Sequence, residues 1–206
     1  MIDVAILISY GACYKKVSAG EIIFREGQYA HFYHQLESGR VKWLTVNDDG
    51  SEFIHDIIEP VESFGEFPLF DGEPYAATAI ADKDSVILRL HESSFHQLLK
   101  DHPHVQFAIT KLMVQRLRFK FLFSNEIAHH NPESTIISLF NHFKKEKQNI
   151  CNSCSQVQLT RQQIADMTGL RVETVIRTIR NLHDRGALKV NKGKVLLTSS
   201  AFLTAG

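Results

Sequence analysis

Leu159–Leu188 reads LTRQQIADMTGLRVETVIRTIRNLHDRGAL, and its local chemistry decides the fold of the C-terminal third. Thr160 is a side-chain acceptor at a helix N-cap, and Gln163 three residues later completes a capping box, so a helix opens at Arg161. Ile164, Ala165 and Met167 give that helix a short apolar face, and Gly169 ends it on a backbone free to turn. From Arg171 to Asp184, Val172, Val175, Ile179 and Leu182 recur at spacings of three and four, the stripe of a second amphipathic helix facing a small core. Two short helices around a glycine turn are a way for a small domain to put side chains into the major groove of DNA.

Glu173, Arg177 and Arg180 fall on the other face of the second helix. A carboxylate accepts from the cytosine amino group and a guanidinium forks onto guanine, so this set suits base readout. The same residues also fit a plain surface ion pair, Glu173 with Arg177 at i,i+4. After the helix, Ala187-Leu188-Lys189-Val190 and Val195-Leu196-Leu197-Thr198 flank Asn191-Lys192-Gly193-Lys194, two strands around a tight turn. Lys189, Lys192 and Lys194 sit where such a wing meets phosphates, contacts that position a protein without reading sequence; a soluble lysine-rich turn is the alternative. The candidate DNA-binding set is Thr160, Arg161, Gln162, Arg171, Glu173, Thr174, Arg177, Arg180, Lys192 and Lys194.

With 206 residues the chain suits two domains. It holds 23 basic and 23 acidic residues. They are unevenly placed: residues 132–206 carry 11 Lys and Arg against 5 Asp and Glu, and residues 1–131 carry 12 against 18. A basic reader joined to an acidic body is the asymmetry expected when one end meets phosphate. There is no apolar run of about 18 residues to span a bilayer, and MIDVAILISYGACYKK lacks the basic lead of a signal peptide, so a cytoplasmic protein without membrane partners is expected.

The acidic body is punctuated by Gly20, Gly27, Gly39, Gly50, Gly65 and Gly72. Between them lie β-prone segments, Ile22–Phe24, Phe32–Leu36, Val41–Val46, Phe53–Ile58 and Ser85–Leu90, with Asp48-Asp49-Gly50-Ser51 as the clearest hairpin turn. Short strands at such spacing imply an antiparallel roll or sandwich. Glu92–Lys100 reads as a helix, and Pro103 starts a long one to about Ala128. Along it Ile109, Leu112, Arg116, Phe119, Phe123 and Glu126 alternate at three and four, a seam for a partner helix. Val105, Ala108, Met113, Leu117, Phe121 and Leu122 add apolar surface outside it, so packing on the chain's own roll and on a second copy is predicted, giving a homodimer.

Of three cysteines, Cys151 and Cys154 form a CxxC pair, half the ligands of a structural zinc site with no second pair following. Two loop cysteines between a helix and a strand is the simple reading, and no metal site is expected.

Over nearly its full length the chain resembles the Crp–Fnr superfamily of bacterial transcription regulators. Gly20–Gly27, Gly39-Arg40-Val41-Lys42 and Phe64-Gly65-Glu66 look like the glycine-marked turns of its β-roll, and Thr160–Ala165 and Val172–Arg177 match its reader. The resemblance implies an α+β fold: residues 1–130 as a cyclic-nucleotide-binding-like effector domain, an antiparallel β-roll with a dimerisation helix at about 104–128, and residues 131–206 as a winged helix-turn-helix. It implies no enzymatic activity, double-stranded DNA and RNA polymerase as partners, and a palindrome whose half-site holds a TGA-like core read by Glu173 and Arg177.

Members that bind cyclic AMP hold its phosphate with an Arg and a small hydroxyl residue in a Pro-Arg-Ser-Ala-Thr-like segment. Here Pro74-Tyr75-Ala76-Ala77-Thr78 puts Tyr75 and Ala76 at those positions, and Lys120 and Phe121 stand where a base-contacting Thr-Ser pair is expected. Losing a bidentate cation removes the main offset to phosphate desolvation, so cyclic AMP is disfavoured as effector and no cofactor is assigned. Gly65, Glu66, Tyr75, Ala76, Lys120 and Phe121 form the candidate effector pocket. A regulator with an atypical phosphate site, or a thiol redox sensor using Cys151 and Cys154, is the alternative.

Overall fold

A computed structural model describes residues 1–151 and 153–197; Asn152 of the CxxC segment and Thr198 of the wing segment lie outside the described residues. The chain divides into two compact units, Met1–Val114 and Gln115–Gly206. No described helix is long and apolar enough to cross a membrane.

The first unit runs α1 (Val4–Ser9), β1 (Cys13–Val17), β2 (Ile22–Phe24), β3 (Phe32–Val46), β4 (Glu52–Ile58), β5 (Ser63–Phe64), α2 (Pro68–Asp71), β6 (Thr78–His91), α3 (Glu92–Asp101) and the start of α4 (Pro103–Ala128). Its sheet has the order β1-β6-β3-β4, with β2 on β6, β5 on β3 and every pairing antiparallel. The two segments Phe32–Leu36 and Val41–Val46, expected as separate strands, are one 15-residue strand. Its pairing with β6 shifts register between Leu36 and Val41, so bulges take up the bend without the chain leaving the sheet. Gly39 sits at that bend with φ +95, where a Cβ would come within 2.1 Å of Ser85 Oγ. The expected turn at residues 48–51 joins β3 to β4, Asn47 N–H donating to Ser51 O at 2.9 Å.

Strand alternation splits the apolar residues between two cores. Tyr33, Leu88 and Leu90 pack under α1, α3 and the start of α4, with Phe95 stacked on Tyr33 at 4.8 Å. Leu36, Val41, Ile58 and Ile87 fill the roll with Phe24, Phe64 and Tyr75.

The seam predicted on α4 is partly covered by the chain's own elements. Ile109 is buried in the cluster beneath α3, Phe123 is buried, Leu112 and Arg116 are half-buried, and Phe119 stacks on His142 at 3.5 Å. The exposed apolar stripe lies two residues away in register: Phe107, Val114, Leu117 and Phe121 are 74%, 50%, 70% and 75% exposed.

The second unit completes α4 and continues with α5 (Pro132–Glu146), α6 (Arg161–Thr168), α7 (Val172–Asp184), β7 (Lys189–Asn191) and β8 (Lys194–Leu196). Asn131 caps α5, its Oδ1 accepting from Glu133 N–H at 3.0 Å. The capping box at Thr160 and Gln163 is formed in both directions at 3.1 Å, and Gly169 ends α6 with φ +69. Val175, Thr178, Ile179 and Leu182 are the buried side of α7, with Val172 half-buried at its edge. Lys192 and Gly193, with φ of 46° and 77°, make the tight turn between β7 and β8 that a twisted hairpin favours.

Candidate nucleic-acid interface and effector site

On α7 the side opposite the core carries Arg171, Glu173, Ile176, Arg177 and Arg180, all exposed, while Thr174 is half-buried. Arg171 is the N-cap, with extended backbone and no side-chain capping bond. Glu173 lies in the first turn, where the positive helix end favours a carboxylate. Among the described residues Glu173, Arg177 and Arg180 take part in no ion pair, so the intrahelical pair open to Glu173 and Arg177 is not made. Both charges face outward with their hydrogen-bonding capacity uncommitted.

The residues expected at the start of α6 are partly engaged inside the fold. Thr160 Oγ1 is committed to the cap, and Gln162 Nε2 donates to Asp166 Oδ1 at 2.7 Å. Arg161 Nη2 donates to Gly193 O at 3.3 Å, which ties α6 to the wing turn, and burial draws its guanidinium below the ordinary value. Lys189, Lys192 and Lys194 are exposed on the wing. Ile176, 51% exposed beside Arg177, extends the set that charge pattern alone suggested.

In the roll, Gly65 has φ +70, and a Cβ there would lie 2.5 Å from Phe24 Cζ. Glu66 is fully buried and accepts a hydrogen bond from Ser63 Oγ. Tyr75 is 4% exposed and lies flat on Phe24, centroids 3.7 Å apart and planes 8° from parallel. Burial, with a lesser push from Glu66, raises the Tyr75 hydroxyl well above its ordinary range. Ala76 is exposed. Where the resemblance implies a cation and a hydroxyl for a phosphate, this chain therefore has a packed ring and a methyl. Lys120 and Phe121 are exposed on the part of α4 that belongs to the second unit.

Two residues that sequence patterning did not single out line the same aromatic cluster. Phe24 and His34 lie 5.5 Å apart, and His34 stacks on Phe64 at 5.4 Å. Burial, aided by the charges of Arg89 and Lys15, draws the His34 imidazole down to about 3, so it is neutral. Among the described residues its Nδ1 has no hydrogen-bond partner. Alternation along β3, which puts His34 on the same face as Leu36, is the signal in the sequence that could have found it.

The family model for a cyclic nucleotide-binding domain matches residues 14–102, and that for a Crp-like helix-turn-helix domain matches residues 135–205. The chain is 24% identical to the cyclic AMP receptor protein of Thermus thermophilus over 184 residues, 89% of this chain and 83% of that protein. It is 24% identical to the anaerobic regulatory protein of Bacillus subtilis over 195 residues, 92% of this chain and 81% of the relative. Among solved structures it resembles FixK2 of Bradyrhizobium japonicum, with a TM-score of 0.77, 20% identity and coverage of 91% and 93% of the two chains. The c-di-GMP-responsive regulator CLP of Xanthomonas campestris gives a TM-score of 0.75 at 20% identity, covering 95% of this chain and all of that one.

Proposed function

Since the chain belongs to the Crp–Fnr family of DNA-binding transcription regulators, which are not enzymes, we propose that it reads a palindromic duplex as a homodimer, and that its roll answers to an effector other than cyclic AMP or leaves the reader constitutively competent. The observation that carries base readout is the pairing of faces on α7: Val175, Ile179 and Leu182 are buried, and Glu173 and Arg177 stand outward without an ion-pair partner among the described residues. A TGA-like half-site core matches their chemistry, and exposed Ile176 suits a thymine methyl. Half-sites about one helical turn apart fit two copies related by two-fold symmetry.

Dimerisation is supported by α4. Phe107, Thr110, Val114, Leu117, Phe121 and Ser124 alternate at three and four and are all exposed, the period of a coiled-coil seam. Tyr75 packed on Phe24 disfavours a cyclic phosphate in the roll. A ligand there acts only through differential affinity for two states of the dimer. At a promoter the partner is RNA polymerase.

Selection from random-sequence duplexes tests the reading. The wild-type chain enriches a palindrome, and Arg177→Ala loses preference at one position of each half-site. Enrichment of no sequence by wild type, or of the same palindrome by Arg177→Ala with equal stringency, refutes it.

A further inference from the structure

We propose that Cys151 and Cys154 form a reversible disulfide under attack by a hydroperoxide, and that this two-electron thiol switch acts on the wing of the reader. Neither cysteine has a part in DNA reading or in the roll, so the modification stands independently of the proposed function; its effect on DNA binding rests on that reading.

Both thiols are free, Cys154 exposed and Cys151 half-buried. They lie in the segment between α5 and α6. Cys151 N–H donates to Gln156 O and Ser155 N–H to Cys151 O, both at 2.8 Å, and Ile150 bridges Val157. Ser155 holds the left-handed region at φ 55, a conformation that side-chain-bearing residues rarely adopt. Cys151 Sγ lies 3.1 Å from Ser153 Oγ. The Ser153 hydroxyl, the Cys154 thiol and the backbone N–H groups of Ser153 and Cys154 favour a thiolate there, drawing Cys151 down to about 7. A large thiolate fraction near neutral pH with solvent access is the condition for thiol reactivity. Among the described residues no group of three or more His, Cys, Asp or Glu side chains stands together.

The Cys151 thiolate attacks the distal oxygen of the hydroperoxide; the O–O bond breaks, and the alkoxide or hydroxide leaves and takes up a proton. Cys151 is then a sulfenic acid. Cys154 sulfur attacks the Cys151 sulfur, the S–S bond forms, and the sulfenic oxygen leaves as water with the Cys154 proton. Two thiols lose two electrons and the peroxide gains them.

The three residues after Cys154 hold the wing. Leu197 N–H donates to Ser155 O at 3.0 Å, Gln156 bridges Leu196, and Val157 N–H donates to Val195 O at 2.9 Å. β8 carries Lys194 and meets the wing turn that Arg161 touches. Closing the disulfide redraws the turn from Cys151 to Gln156 and so acts directly on β8.

The full-length chain carrying Cys13→Ser is treated with one equivalent of hydrogen peroxide. Intact mass falls by two hydrogens and returns on reduction with dithiothreitol; Cys154→Ser instead gains one oxygen that dimedone traps, and Cys151→Ser consumes peroxide far more slowly. An unchanged mass, or equal consumption by Cys151→Ser, overturns the switch. Hydrogen exchange then reads the Val157 and Leu197 amides in the reduced and oxidised forms. Affinity is measured for the duplex that the reduced chain enriches, with a change of about fivefold or more expected for coupled sites. A disulfide with unchanged exchange and affinity overturns the link to the wing. If the reduced chain enriches no duplex, the DNA reading has failed, and mass and exchange still decide the switch.

Discussion

Tyr75 lies face to face with Phe24, their ring centroids 3.7 Å apart, and Gly65 leaves just enough room beside them, since a Cβ would come within 3.1 Å of the Tyr75 ring and 2.5 Å of the Phe24 ring. Tyr75 is thus a core residue of the roll at the position where a phosphate-binding arginine is implied. Tyr75→Ala is expected to destabilise the first unit by about 3 kcal/mol, the order found for removing a buried aromatic ring. Tyr75→Arg with Ala76→Ser is expected to give a calorimetric signal with cyclic AMP that the wild type lacks. Wild-type heat at micromolar cyclic AMP, or full stability in Tyr75→Ala, contradicts the packed-ring account.

His34 supplies a pH dependence. Its imidazole is held near 3 in the fold and at 6.5 ordinarily, so below pH 6.5 the unfolded chain binds a proton that the folded chain does not. The contribution is complete above 6.5 and is lost as pH falls towards about 3, at a slope of about 1.4 kcal/mol per pH unit. His34→Phe keeps a ring against Phe64 and removes the titration. Urea unfolding of the first unit at pH 7 and pH 5 measures the difference, and the variant should lose about 2 kcal/mol less than wild type. Parallel losses in the two proteins would show that His34 is not the titrating group.

The two apolar stripes of α4 call for opposite outcomes. Leu117→Asp, on the exposed stripe, is expected to give a folded monomer by sedimentation, because a charge at an a or d position disrupts a coiled-coil seam. Ile109→Ala, in the core beneath α3, is expected to leave the oligomeric state unchanged and cost about 2–5 kcal/mol of stability. A dimer that survives Leu117→Asp places the interface elsewhere.

How much of this was legible in the sequence follows the range of the forces involved. α6 and α7 were readable to within a residue because the Thr160–Gln163 box, the turn at Gly169 and the stripe through Val175, Ile179 and Leu182 are local signals. The length of β3 was not, because only pairing with β6 tells whether the chain at Gly39 turns back or bends and continues. On α4, apolar residues occur at both phases, so periodicity could not say which stripe the roll and α5 would cover. At Tyr75 the missing arginine was visible; that the ring would stack on Phe24, about 50 positions earlier in the chain, was a matter of tertiary packing.

The division of labour between α7 and the wing can be separated by salt. Arg177 is exposed on α7 and in no ion pair among the described residues, and on the proposed reading its loss should cost about 1–3 kcal/mol on the enriched duplex and relax preference at one base position. Lys192 sits at the wing tip, where a phosphate contact carries no sequence information. Lys192→Ala should therefore weaken binding to matched and scrambled duplexes alike, and lower the slope of log K against log salt by about 0.9 for the one phosphate lost. Titrations on both duplexes at several salt concentrations give all four quantities. A loss of base preference in Lys192→Ala, or an unselective loss in Arg177→Ala, would exchange the two roles and make the wing the reader.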